Sequence, residues 1–184
     1  MFRYLKTHLK AFRDDVEGSV SIEAVMIFPA LFWAFCAMVV FFDAYRQTSV
    51  NNKAAYTISD MISRETQPMN PQYLENAKKF LDYLTISDGS DTSLRVSLLR
   101  WKAANQEFET VWSETVGNKT ALQTDNVKSW SDRLPIMVNN EQIIVVETWT
   151  DYEPPLNVGL AARDISSFVF TRPRFSPQIV WSDT

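Results

Sequence analysis

From Ala24 to Phe42 the chain runs nineteen residues without a charged side chain: Ala-Val-Met-Ile-Phe-Pro-Ala-Leu-Phe-Trp-Ala-Phe-Cys-Ala-Met-Val-Val-Phe-Phe. As a helix, that length matches the ~20 residues needed to cross the hydrocarbon core of a bilayer. A helix of a globular core would keep a polar face over so many turns, and this run keeps none. A transmembrane span is therefore expected. Pro29 lies in its first half. Lipid-embedded helices tolerate proline where neighbouring groups satisfy the freed carbonyl, so a mild kink is expected there. Trp33 is too near mid-span to anchor at an interface and is expected to pack against a partner helix.

The flanks orient the span. Arg3, Lys6, Lys10 and Arg13 precede it, whereas only Arg46 and Lys53 come after it within a short distance, beside Asp43. The basic excess is N-terminal, so residues 1–18 read as a cytoplasmic leader and residues 43–184 as exported. A cleaved secretory signal fits poorly. Its apolar region is about 7–15 residues long, and the Phe-Phe-Asp-Ala-Tyr that closes this run offers no small-x-small site.

The junction before the span reads Glu17-Gly-Ser-Val-Ser-Ile-Glu23. Gly18, with no side chain, suits a protease that must thread an extended backbone at the membrane face. Glu23 stands at the edge of the apolar helix, where an ionised carboxylate is costly unless it finds a partner. Cleavage after Gly18 would create one, because Ser19 would then carry an α-ammonium one turn away, able to meet Glu23 of a neighbouring copy. The plainer alternative is a chance spacing, with Glu23 reaching out to the headgroups.

The stretch Gly18-Ser-Val-Ser-Ile-Glu23-Ala-Val-Met-Ile-Phe-Pro29-Ala-Leu resembles the start of the TadE-like proteins. These are minor pilins, or pseudopilins, of the tight-adherence (Flp, type IVc) pilus. The similarity is strong over residues 15–55. The ending Phe170-Thr-Arg-Pro-Arg-Phe-Ser-Pro-Gln-Ile-Val-Trp181 is similar to family tails. The resemblance implies prepilin-peptidase cleavage between Gly18 and Ser19, with Glu23 as the glutamate that sets subunit register. It implies a single-pass protein of the bacterial inner membrane that takes part in assembling or initiating the pilus. The implied partners are other pilin and pseudopilin subunits, prepilin peptidase, the pilus inner-membrane platform and the lipid bilayer. Ala24 departs from the pattern, since Flp pilins carry an aromatic after the glutamate. The chain is also far longer than a major Flp pilin. The competing function is an unprocessed, membrane-anchored periplasmic scaffold or sensor.

Chemistry is sparsely supplied. The single histidine, His8, is in the leader and the single cysteine, Cys36, is in the span. The exported part therefore lacks the means for a histidine triad, a thiol nucleophile or a His-Cys metal site, and neither enzyme activity nor a cofactor is expected. Asp88-Gly-Ser-Asp-Thr92 has the outline of a metal-dependent adhesion motif but lacks a preceding apolar strand, and reads as a solvated turn. Glu107, Glu109 and Glu114 read as solvent-facing strand charges. Arg172-Pro-Arg174-Phe could suggest a nucleic-acid patch, but a formal net charge of -4 argues against that partner.

An α+β fold is expected, pilin-like in layout: a leader (1–18), a transmembrane helix and its extension (19–66), and an exported domain (67–184) with about four antiparallel strands. Val50, Ala54, Ile58 and Met61 recur at helical spacing, extending the span to about Arg64. Gln67-Pro-Met-Asn-Pro71 breaks it, and Asn70 with Pro71 should start a helix that buries Leu74, Ala77, Leu81 and Leu84. Leu94–Leu98 and Phe108–Trp112 form a plausible hairpin. Val127, Trp130 and Leu134 mark a short helix stopped by Pro135. Gln142–Thr150 is apolar on both faces at its start, as in a central strand. Ser167–Thr171 is the last strand, with Pro173 and Pro177 confining the remaining residues to an edge or loop.

Overall fold

The structure, a computed structural model, describes residues 19–183; the basic leader and Gly18 lie outside the described residues. The chain divides into two units. The first holds the chain up to Phe42 together with Pro155–Leu160, and the second holds Asp43–Pro154 and Ala161–Thr184. Helix α1, Ser19–Ser63, runs unbroken through Pro29 and contributes to both.

In the second unit, the helix after α1 begins as its sequence dictates. Asn70 adopts an extended conformation and its side-chain oxygen accepts from the Tyr73 amide at 2.9 Å, while Pro71 takes the first helical position, where no amide hydrogen is needed. This helix, α2, spans Pro71–Thr85 and buries Leu74, Ala77, Leu81 and Thr85. It ends at Ile86, held in the left-handed region at φ 58, where the Ser87 amide reaches back to the Asp82 carbonyl at 2.9 Å.

Four strands complete the unit: β1 (Thr92–Lys102), β2 (Glu107–Val116), β3 (Gln142–Tyr152) and β4 (Arg163–Thr171). They form one antiparallel sheet in the order β2-β1-β3-β4. β3 is central, as its two-sided apolar pattern required. β1 and β2 form the expected hairpin, each longer than its apolar alternation indicated. Where Leu98 faces Trp112 and Leu99 faces Thr110, Val111 is the extra residue of a bulge. Gly117 makes the turn after β2 at φ +119, where any Cβ would collide with Ser93.

Both faces of the sheet are covered. Leu94, Val96 and Leu98 of β1 and Ile144 and Val146 of β3 pack with Ala54, Ile58 and Ile62 of α1 and Leu74 and Leu81 of α2. Alternate residues Leu99, Trp101, Ile143 and Val145 pack on the opposite side with Val127, Trp130, Leu134 and Met137. The single short helix expected across Val127–Leu134 is instead two separate turns: α3 (Thr124–Val127) and a 3-10 turn (Trp130–Asp132). The buried face of α1 is also rotated from the expected one. Asn51, Ala54, Ala55, Ile58, Ser59 and Ile62 are buried, whereas Val50 is half-buried and Met61 is 41% exposed.

After β4 the tail straps the unit. Its bridge to Met69 runs through the Met69 amide to the Val180 carbonyl and the Ser182 amide to the Met69 carbonyl, both at 2.8 Å. The Trp112 indole donates to the Ile179 carbonyl at 2.9 Å and stacks near Trp181. The two arginines of the tail are taken up internally, Arg172 by Glu141 at 3.1 Å and Arg174 by Asp60 at 3.2 Å.

Candidate functional site

The apolar half of α1 is one candidate. Ser19, Glu23 and Pro29 all lie on this helix, and Glu23 and Pro29 are exposed. Positions four apart share a helix face, which puts Ser19 and Glu23 on one side, about 6 Å apart along the axis. The large apolar side chains beyond them face outward on every side, among them Phe28, Leu31, Phe32, Trp33, Phe35 and Phe42. In the most apolar stretch of this helix only 6% of the residues are buried, whereas the core helix of a soluble domain would be mostly buried. It is long and apolar enough to cross a membrane.

The second half of α1 is built differently. Asp43, Gln47 and Asn51, each four residues apart, form a polar seam toward the rest of their unit. The Tyr152 hydroxyl donates to Asp43 Oδ2 at 3.1 Å, and Gln47 Nε2 donates to the Thr85 carbonyl at 3.2 Å. Asn51 is fully buried. Its Nδ2 donates to the Ile165 carbonyl at 3.2 Å and to Ser167 Oγ at 3.0 Å, while its Oδ1 accepts from the Thr148 and Thr150 hydroxyls, each at 3.2 Å. Ser167 in turn donates to Asn52 at 2.7 Å. Burial and hydrogen bonding to the Asp43 carboxylate both raise the Tyr152 hydroxyl above its ordinary value, burial being the larger cause. This latch joins α1 to β3 and β4, and apolar periodicity gives no hint of it. The one signal in the sequence is the adjacent Asn51-Asn52 inside a helical pattern.

The segment Asp88–Thr92 is a turn organised from within. Asp88 accepts from the Ser90 amide at 2.9 Å, and Lys78 Nζ holds both Asp82, at 2.9 Å, and the Gly89 carbonyl, at 2.7 Å. The Thr92 hydroxyl also donates to Asp82. A lysine ammonium thus sits among the oxygens. Among the described residues no group of three or more histidine, cysteine or carboxylate side chains is placed to hold a metal. On β2, Glu109 pairs with Lys102 at 3.6 Å.

Elsewhere on the sheet Arg95 and Glu147 form a largely buried pair at 2.6 Å, with Arg95 also donating to the Thr120 carbonyl at 2.8 Å and lying 4.9 Å from the Trp149 ring centre. A cavity of about 520 Å³ is lined by Asp91, Asp151, Glu153 and Asp164. There Asp151 is raised above the ordinary carboxylate value, first by desolvation and then by its hydrogen bond with Asp164, while the hydrogen bond from Lys119 lowers Asp164. A second cavity, of about 430 Å³, opens between Arg100, Gln142, Glu141 and the tail residues Arg172, Pro173 and Pro177.

No protein-family model matches the chain, and neither does any curated sequence or solved structure. What defines it is an α+β chain with a long apolar N-terminal helix and a four-stranded antiparallel sheet.

Proposed function

We propose that the chain is a minor pilin or pseudopilin of a type IVc (Tad/Flp) pilus, cleaved after Gly18 and held in the bacterial inner membrane by residues 24–42. The observation that carries this reading is the division of α1. Its apolar half presents large side chains on every side, while its second half is a core element of a folded unit. A lipid anchor needs the first property. A subunit that packs its helix against sister helices and displays a domain beyond them needs both. The Gly18–Glu23 spacing supports processing at the boundary of the leader, and the basic flank supports an exported domain. Once cut, Ser19 offers an ammonium and Glu23 a carboxylate on one helix face, so a one-turn slip between neighbouring helices would misplace the pair by about 5.4 Å.

Sequencing the N-terminus of the protein isolated from membranes with an intact pilus system tests the reading. The expected first residue is Ser19, and Gly18→Leu should leave the uncut form, heavier by the leader, because a side chain at that position blocks the extended fit. Wild-type protein beginning at Met1 would favour the unprocessed scaffold or sensor instead.

A further inference from the structure

We infer that the cavity at the Arg100–Gln142 end of the sheet binds a carboxylate carried beside an amide N–H, the chemistry of an acidic peptide. Arg100 and Gln142 are cross-strand neighbours on β1 and β3 and continue the sheet face of Leu98 and Ile144. Leu98 and Ile144 are fully buried under the helices, but one pair further along the core gives way to the cavity. Gln142 is only 9% exposed, and its Oε1 is buried with no hydrogen-bond partner among the described residues. Leaving a buried amide oxygen unmade costs more than an ordinary hydrogen bond gains, so the site is built for a donor.

The charges around it are already committed, except one. Glu141 accepts from Arg172 at 3.1 Å and from the Val138 amide at 2.9 Å. Glu109, across from Arg100 on β2, has Lys102 as its ionic partner at 3.6 Å, although its Oε2 makes no hydrogen bond among the described residues, and Asn140 accepts from the same lysine at 3.3 Å. The Arg100 guanidinium lines the cavity without a hydrogen bond or ion pair to any described side chain or loop carbonyl. Its planar fork matches a carboxylate or a phosphate. With a single uncompensated cation, a monoanion is the better fit. The orphan Gln142 oxygen selects further, because an ionised phosphate brings no donor and an amide beside a carboxylate does. Pro173 and Pro177 have no amide hydrogen to compete for the ligand. Such a ligand could be an internal aspartate or glutamate of a peptide, or a chain end. Binding at this cavity does not depend on whether the chain polymerises.

The test uses the full chain in detergent micelles and monitors phenylglyoxal modification of Arg100 by peptide mass spectrometry, with the exposed Arg163 as reference. Acetyl-Gly-Asp-Gly-amide at millimolar concentration should slow Arg100 modification by about tenfold, the size expected for a charge-assisted paired contact, while its Asn counterpart has no effect. Acetyl-Gly-Gly with a free C-terminal carboxylate distinguishes the sources: protection by the Asp peptide alone assigns an internal side chain, and protection by the free acid assigns a chain end. Gln142→Glu, which supplies Arg100 with an internal carboxylate, should abolish protection. If that variant does not fold, the melting temperature decides: the effective acid should raise Tm of the wild type and leave that of Arg100→Lys unchanged. Failure of both acids to protect, equal protection by the Asn peptide, or an equal rise in Tm for Arg100→Lys would overturn the assignment.

Discussion

Asn51 occupies a position that apolar periodicity would have given to its neighbours, and all four hydrogen bonds of its amide are made. Asn51→Ala would leave the Ile165 carbonyl and two threonine hydroxyls without their partner inside the unit. The expected loss is about 2–3 kcal/mol of unfolding free energy, measured by urea titration with tryptophan fluorescence. A loss below about 0.5 kcal/mol, the scale of an ordinary surface change, would mean that the latch contributes little. Tyr152 gives the unit an alkaline limit. Its folded value is raised, so the stability it contributes is complete below the ordinary tyrosine value of about 10 and is lost as pH rises through the folded value. Tyr73 is shifted the same way, chiefly by burial and then by Glu65. Comparison with Tyr152→Phe isolates one hydroxyl: the variant should be less stable at neutral pH and lose less between about pH 9 and 12. Parallel alkaline curves would remove Tyr152 as the cause.

At the scale of the element, helix α1 has two differently built halves, one apolar and outward-facing and one packed into a folded unit, and the two can be separated by substitution. Glu23 is on the apolar half, far in sequence from the latch residues. Glu23→Ala should therefore leave the folded unit unchanged, with the same urea midpoint, and, if the chain is a processed pilin, insertion and cleavage should persist. Under the pilin reading it should fail to co-purify with other pilus subunits, since the charge that reports axial register is gone. Normal pilus output from this variant would reject the register role. Elements with strong local signals are legible in the amino-acid sequence alone. Asn70 and Pro71 mark the start of α2, and the uncharged run marks the first half of α1. Strand lengths are not legible there, because the reversals carry weak signals. The β1–β2 turn, Ala103-Ala-Asn-Gln106, has neither glycine nor proline, and Gln106 itself takes the left-handed conformation at φ 55. Ile86 does the same at the end of α2, although a β-branched residue is among the least suited to it.

For the whole molecule, hydrophobic pattern identifies β3 as central but not what covers each side of it. The covering layer opposite the helices comes from Leu122, Val127, Trp130, Leu134 and Met137, scattered through a segment that is mostly irregular. Their spacing suggests one short helix, because only the sheet they pack against fixes their true arrangement. The candidate cavity is equally hidden. Arg100 and Gln142 are brought together by strand register, and the tail that roofs them arrives from far along the chain.

The Asn51 latch also dictates an order of events. Its partners on β4 lie 114 and 116 residues further along the chain. Contacts so distant in sequence repay the entropy of loop closure only late, so the buried face of α1 must wait for β4 until more than a hundred further residues have been made. During that interval the helix is made but its second half has no finished sheet to lie against. Under the membrane reading proposed above, a first half of α1 lodged in a bilayer would fix one end of that loop before the other exists.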